Sequence, residues 1–133
     1  MKNIILISMM LFVGTLMMAQ SQSEMNKEAQ TNYELSNNEL NQVYYNILKE
    51  YKSDTTFIKN LKKSQRLWIQ FRDAEMTVKY PDRPVGSYGD VLPMCKSLYK
   101  EGLTKDRIKT LMNWLVGFEE GDVCSGSLKF KVE

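Results

Sequence analysis

Apolar positions along the chain fall mostly at helical spacing. Between Met25 and Tyr51 they stand at Met25, Ala29, Tyr33, Leu40, Tyr44, Ile47, Leu48 and Tyr51, in steps of three, four and seven that place them on one helical face. The pattern predicts a first long helix, with Asn37–Asn38 as a possible kink because Asn is a poor interior residue. Ser53–Asp54–Thr55–Thr56 is a short polar connection rich in N-capping residues. A second helix is expected from about Thr55 to Tyr80, with a stripe of Phe57, Ile58, Leu61, Leu67, Trp68, Phe71 and Val78. The short connection makes the pair an antiparallel hairpin of roughly 40 Å.

The loop Pro81–Gly89 holds two of the three Pro and two of the seven Gly. Helical character returns near Asp90, with Pro93 suited to the first turn. Its apolar side is Val91, Leu92, Cys95, Leu98 and Tyr99, then Ile108, Leu111, Met112 and Leu115. Gly102 is a possible interruption, and Thr104 either an N-cap or a surface residue in a continuous helix. Gly117, Gly121 and Gly126 punctuate the end. Leu128–Val132 alternates apolar and basic, as a short strand or an extended tail over the bundle. The expected fold is all-α: an antiparallel bundle of three to four helices with a long hairpin, one disulfide and an irregular C-terminal tail.

The first 19 residues are of another kind. A basic start, an apolar run from Ile4 to Leu16 and Ala19 before Gln20 have the form of a cleaved secretory signal peptide. The run is shorter than the ~20 residues of a membrane span. Residues 20–133 then form one helical domain, periplasmic or secreted, with no stable membrane anchor after cleavage. Removing 19 of 133 residues leaves 114, with 17 Lys plus Arg against 16 Asp plus Glu; five of the nine Met go with the leader. That near-neutral balance gives no case for nucleic acid as a partner.

The chain has no His, which excludes Ser-His-Asp triads, Cys-His dyads and His-ligated metals. No phosphate-binding loop and no Gly-x-Ser-x-Gly elbow occurs. Glu119, Glu120 and Asp122 form a solvated acidic turn more simply than a catalytic pair. The expectation is a binding protein, not an enzyme, with no cofactor and no metal. Cys95 and Cys124 are the only cysteines. After export the default is a structural disulfide, stabilising by about 3–4 kcal/mol in the chain-entropy model; two free thiols are the alternative.

The densest stretch is Gln65–Glu75. Trp68, Arg72 and Glu75 lie on one helical side, where Arg72 can pair with Glu75 or stack on Trp68. Two readings stand: a structural polar cluster that fixes helix register, or a ligand or partner surface.

At these residues the chain resembles the family named for the lysozyme inhibitor LprI, through that family's N-terminal domain. Met25–Asn26, Ala29 and Tyr33 resemble its opening, and Leu40–Asn41 with Tyr44 its Leu-Asn-x-x-Tyr segment. Gln65, Trp68–Ile69 and Phe71–Glu75 (with Arg72 and Asp73) resemble its most specific signature. Gly86–Ser87, Pro93 and Leu103–Thr104 with Arg107 resemble the last third. The resemblance covers about residues 25–111 and leaves the tail, 118–133, outside. Family members often carry Cys where this chain has Met76 and Tyr99, so an apolar contact is expected there in place of a bridge. Cys95 and Cys124 look like a different staple, tying the last third to the tail. The resemblance implies an exported binding protein whose protein partner is a lysozyme-type muramidase. The loop carrying Arg83, Gly86, Ser87 and Tyr88, with the last two near its tip, is the candidate partner-binding element. An envelope interaction or scaffold module with no inhibitory activity, using the Trp68/Arg72 face, is the alternative; oligomeric state is left open.

Overall fold

The computed structural model describes the backbone of residues 2–119 and 121–130, and side chains from Ser21 onward within those bounds. The leader expected over 1–19 and the last residues of the 128–132 segment fall outside the side chains described. Among the described residues there are three helices: α1 (Lys2–Glu50), α2 (Thr55–Lys79) and α3 (Leu92–Val116). The helix count is thus three, not four.

From Ser21, α1 passes unbroken through Asn37–Asn38. Side-chain pairs one turn apart, Gln30 with Glu34 at 2.8 Å and Gln42 with Asn46 at 3.1 Å, support it on either side. The Asp54 carboxylate caps α2 by accepting from the Phe57 amide at 2.8 Å. Pro93 lies in the first turn of α3, where its missing N–H costs nothing. Gly102 does not interrupt that helix.

Cross-helix bonds fix the directions. Ser97 donates to Gln30 at 3.1 Å, and Tyr51 donates to the Trp114 carbonyl at 3.0 Å. Residue number therefore rises together along α1 and α3, which are parallel. Tyr99 donates to Glu75 at 3.2 Å and Arg107 donates to Gln65 at 3.0 Å, so α2 runs antiparallel to α3. The bundle is up-down-up.

The α1–α3 seam buries side chains at heptad spacing, mostly small ones. Ala29, Ser36 and Val43 recur every seventh residue on α1, and Ser97, Thr104 and Leu111 do the same on α3; all six are buried. Thr104 is 0 % exposed and returns its hydroxyl to the Lys100 carbonyl at 2.8 Å. The expectation of a cap or surface Thr is corrected: the residue is small enough to sit where two backbones approach. Leu40, Ile47, Ile108 and Leu111 continue the seam, and Phe57 and Leu61 of α2 complete the core.

At the far end Tyr51 stacks on Phe57 at 4.2 Å, and Trp114 meets Phe57 edge-on at 5.0 Å. The tail closes over this end. The Lys129 amide donates to Tyr51 Oη at 3.1 Å, and the Phe118 amide donates to the Lys129 carbonyl at 3.1 Å. The segment 128–130 makes an isolated bridge between Phe118 and Phe130, not a full strand. The Lys129 ammonium bonds the Glu50 carboxylate at 2.8 Å and the Glu50 carbonyl, holding that carboxyl below its ordinary range.

That closure overturns the disulfide. Cys95 sits in the first turns of α3, whereas Cys124 lies beyond its other end in a tail that stays there. Helix rise alone separates the two ends by about 30 Å, against the ~7 Å limit between Cα atoms that a bridge allows. Both cysteines are free.

Two outcomes follow. Reduction will leave the intact mass unchanged, and exposed Cys124 will alkylate faster than half-buried Cys95 in the native protein. Thr104→Leu will overfill the seam and cost about 1–3 kcal/mol in urea unfolding, whereas a surface Thr would accept Leu within about 0.5 kcal/mol.

Candidate functional site

The loop between α2 and α3 is built from successive turns. The Ser87 amide donates to the Pro84 carbonyl at 3.1 Å, closing a four-residue turn with Gly86 third at φ 86°. With Val85 before it at negative φ, a positive φ at that place marks a type II turn and calls for glycine. A second turn bonds Gly89 to Gly86 at 3.2 Å, and a third leads into Leu92. Val85, fully exposed, projects at the tip.

Ser87 and Tyr88, expected near the tip, instead point their polar groups inward. The Ser87 hydroxyl donates to the Pro84 carbonyl at 2.7 Å, and Tyr88 Oη donates to the Pro81 carbonyl at 2.9 Å. The Tyr88 ring packs edge-on against Tyr80 at 5.9 Å. On the other side, Asn26 of α1 donates to the Asp90 carbonyl at 3.0 Å. These contacts stiffen the loop and tie its base to α1. Arg83 is exposed and, among the described residues, has no carboxylate partner. The loop thus presents one cation beside an apolar tip.

Behind it lies a shallow cleft between the middle of α1 and the facing ends of α2 and α3, lined by Gln30, Tyr33, Tyr80, Asp82, Lys96 and Lys100. The Lys100 ammonium stands over the Tyr33 ring at 5.3 Å. Neither Lys96 nor Lys100 stood out in the sequence, because single lysines on a helix surface carry no distinguishing signal.

The signature residues come together away from the loop, along the inner face of α2. Trp68 lies near two guanidinium groups, Arg72 at 5.3 Å and Arg107 at 5.9 Å from its ring centre. Arg72 is buried and pairs with Asp73 at 2.9 Å, not with Glu75. Glu75 instead accepts from Tyr99, whose phenol is raised by burial and by that bond. Arg107 crosses from α3 to Gln65 and to Ser64 at 3.1 Å, with burial lowering its otherwise very high pKa. Gln65, itself buried, is the member that helical periodicity could not single out. Tyr99, at one of the family's bridge positions, makes a hydrogen bond to Glu75 and packs under the Lys79 ammonium at 3.8 Å.

A family model described as Lysozyme inhibitor LprI matches residues 15–111. The chain belongs to the lysozyme inhibitor LprI family. The match takes in most of α1, all of α2, the loop and most of α3, and stops before Trp114 and the tail. It begins ten residues earlier than Met25, where the resemblance started. No curated protein and no solved structure matches the chain. Among the described residues no group of His, Cys, Asp or Glu is placed to hold a metal ion, and no helix is long and apolar enough to cross a membrane.

Within this LprI-family domain, a tie between α2 and α3 through Arg107 has a measurable consequence. Arg107→Leu will strand the Gln65 amide oxygen and cost about 1–3 kcal/mol in equilibrium unfolding. An unchanged stability would instead make Arg107 a surface group.

Proposed function

We propose that the protein is an exported inhibitor of a lysozyme-type muramidase, periplasmic or secreted, and that it acts by presenting the loop between α2 and α3 to the enzyme cleft. Membership of the LprI family carries the reading. The loop supports it physically. Muramidases of the lysozyme type cleave glycan between two carboxyl groups in a cleft. A guanidinium placed between such groups makes short charge-assisted hydrogen bonds. Arg83 is exposed and unpaired among the described residues. The turn bonds of Ser87 and Tyr88 order the loop beforehand, so less conformational freedom is lost on docking. In this reading Arg83 and Val85 make the contact, Gly86 shapes the tip, and Ser87 and Tyr88 keep it rigid.

The same reading makes the protein a binding protein without catalysis, with a leader removed after Ala19. The alternative of an envelope module acting through Trp68 and Arg72 gains little support, because Arg72 is buried against its own helix.

A cell-wall lysis assay with lysozymes of the c, g and i types tests it. Stoichiometric inhibition of at least one type is expected. Arg83→Ala should weaken inhibition by about tenfold or more, the scale of one lost charged hydrogen bond. Tyr88→Phe, which removes only the internal bond to Pro81, should weaken it less. Absence of inhibition at large molar excess for all three types would refute the proposal.

A further inference from the structure

The outer face of the first half of α2 carries a concentration of positive charge that the near-neutral total conceals. Lys52 in the turn, then Lys59, Lys62, Lys63 and Arg66 on the helix, line one shallow surface with Thr55 and Ile58. All five cations are exposed. No acidic residue lines the surface, and none occurs anywhere from Thr55 to Arg72. The nearest acids in sequence are committed elsewhere, Glu50 to Lys129, Asp54 to the α2 cap and Asp73 to Arg72. None of the five cations forms an ion pair among the described residues. The positive end of the α2 dipole adds to the same field.

The ridge points away from the core. Phe57, Leu61, Gln65 and Arg72 face inward, and Lys59, Lys62, Lys63 and Arg66 fall on the opposite side of the wheel. Exposed apolar side chains flank it, Leu67 on one side at 53 % exposure and Ile69 on the other at 41 %. The surface is shallow and open, with no enclosed pocket to hold a small anion. It suits an extended anionic surface, and the flanking Leu67 and Ile69 favour one that also offers an apolar phase.

We infer that this ridge is a peripheral docking surface for a membrane rich in anionic phospholipid, with the five cations meeting headgroup phosphates and Leu67 and Ile69 bordering the contact on either side. Each cation brought near such a surface raises partitioning by about fivefold, and salt screens the attraction. Such docking is reversible adsorption, distinct from a transmembrane anchor, and does not depend on any muramidase inhibition.

Lysine footprinting with an amine-acylating reagent tests it on the full chain. The vesicles are phosphatidylcholine alone, or phosphatidylcholine with a third replaced by phosphatidylglycerol. Lys59, Lys62 and Lys63 should lose reactivity by about fivefold or more on the anionic vesicles relative to the neutral ones, while Lys105 and Lys109 on α3 stay unchanged. Because protection is read residue by residue, the apolar run at the start of the chain cannot imitate it. Lys62→Glu combined with Lys63→Glu, with helical circular dichroism retained, should abolish the protection remaining at Lys59. Equal reactivity of the three lysines on both vesicles would overturn the inference, as would equal protection of Lys105 and Lys109. Protection by soluble polyphosphate but not by vesicles would also overturn it, giving the ridge to a soluble polyanion.

Discussion

Close approach of α1 and α3 is the constraint on which the remaining structure depends. Two parallel helices cannot be joined by a short turn, so the chain must travel out along α2 and return before the seam can close. What closes it is the size of a few side chains. Ala29 and Ser36 on one helix and Ser97 and Thr104 on the other leave room for the backbones, while Leu40, Ile47, Ile108 and Leu111 supply apolar burial further along. A parallel pair with heptad spacing packs in the manner of a short coiled coil. The register it sets brings Tyr51 level with Trp114, and that meeting gives the tail its anchor at Tyr51 Oη. The position of Cys124, far from Cys95, is therefore a consequence of the seam.

The middle helix is held differently. Its inner face buries Phe57 and Leu61 near one end, then turns polar with Gln65 and Arg72. Along this stretch α2 is tied to α3 by directional contacts: Arg107 to Gln65, the Arg107 guanidinium near Trp68, and Tyr99 to Glu75. Buried polar groups are costly unless paired, but once paired they admit few alternative registers. Among the described residues, no buried side-chain nitrogen or oxygen lacks a partner. The family's strongest signature thus coincides with the segment in which directional bonds take over from apolar packing.

Much of this was legible in residue order. The Asp54 cap, the turn before α2, the loop of Pro and Gly, and Pro93 in the first turn of α3 follow from local chemistry, which acts over a few residues. Apolar periodicity found Leu40, Ile47, Phe57, Leu61, Ile108 and Leu111. It failed where a buried position is small or polar: Ser36, Ser97, Thr104, Gln65 and Arg72 carry no apolar signal. It also failed on α2, whose Leu67, Phe71 and Val78 are 53 %, 52 % and 73 % exposed. With helices on only one side, α2 has one buried stripe, and the apolar positions outnumber it. The disulfide failed for a different reason, since pairing two cysteines by elimination says nothing of the distance between them. At the candidate site, composition located the loop but not which side chains face outward, because the bonds of Ser87 and Tyr88 depend on the turn's geometry.

Charge shows the same difference between a total and its placement. A balance of 17 cations and 16 acids after the first 19 residues gives no reason to expect an electropositive surface. Yet helix geometry gathers four of those cations on one outer face of α2, and the acid-free run from Thr55 to Arg72 leaves them uncompensated along the helix. Acids elsewhere cannot offset them, because exposed charges more than about 8–10 Å apart are largely screened at physiological salt. The ridge therefore acts by its local field and not by the net charge. The loop with Arg83 lies past the other end of α2, about 25 Å from Lys62 by helix rise. At that separation the ridge neither attracts nor repels what approaches the loop. The two surfaces can thus be occupied together, and the stiffness of the bundle keeps them apart.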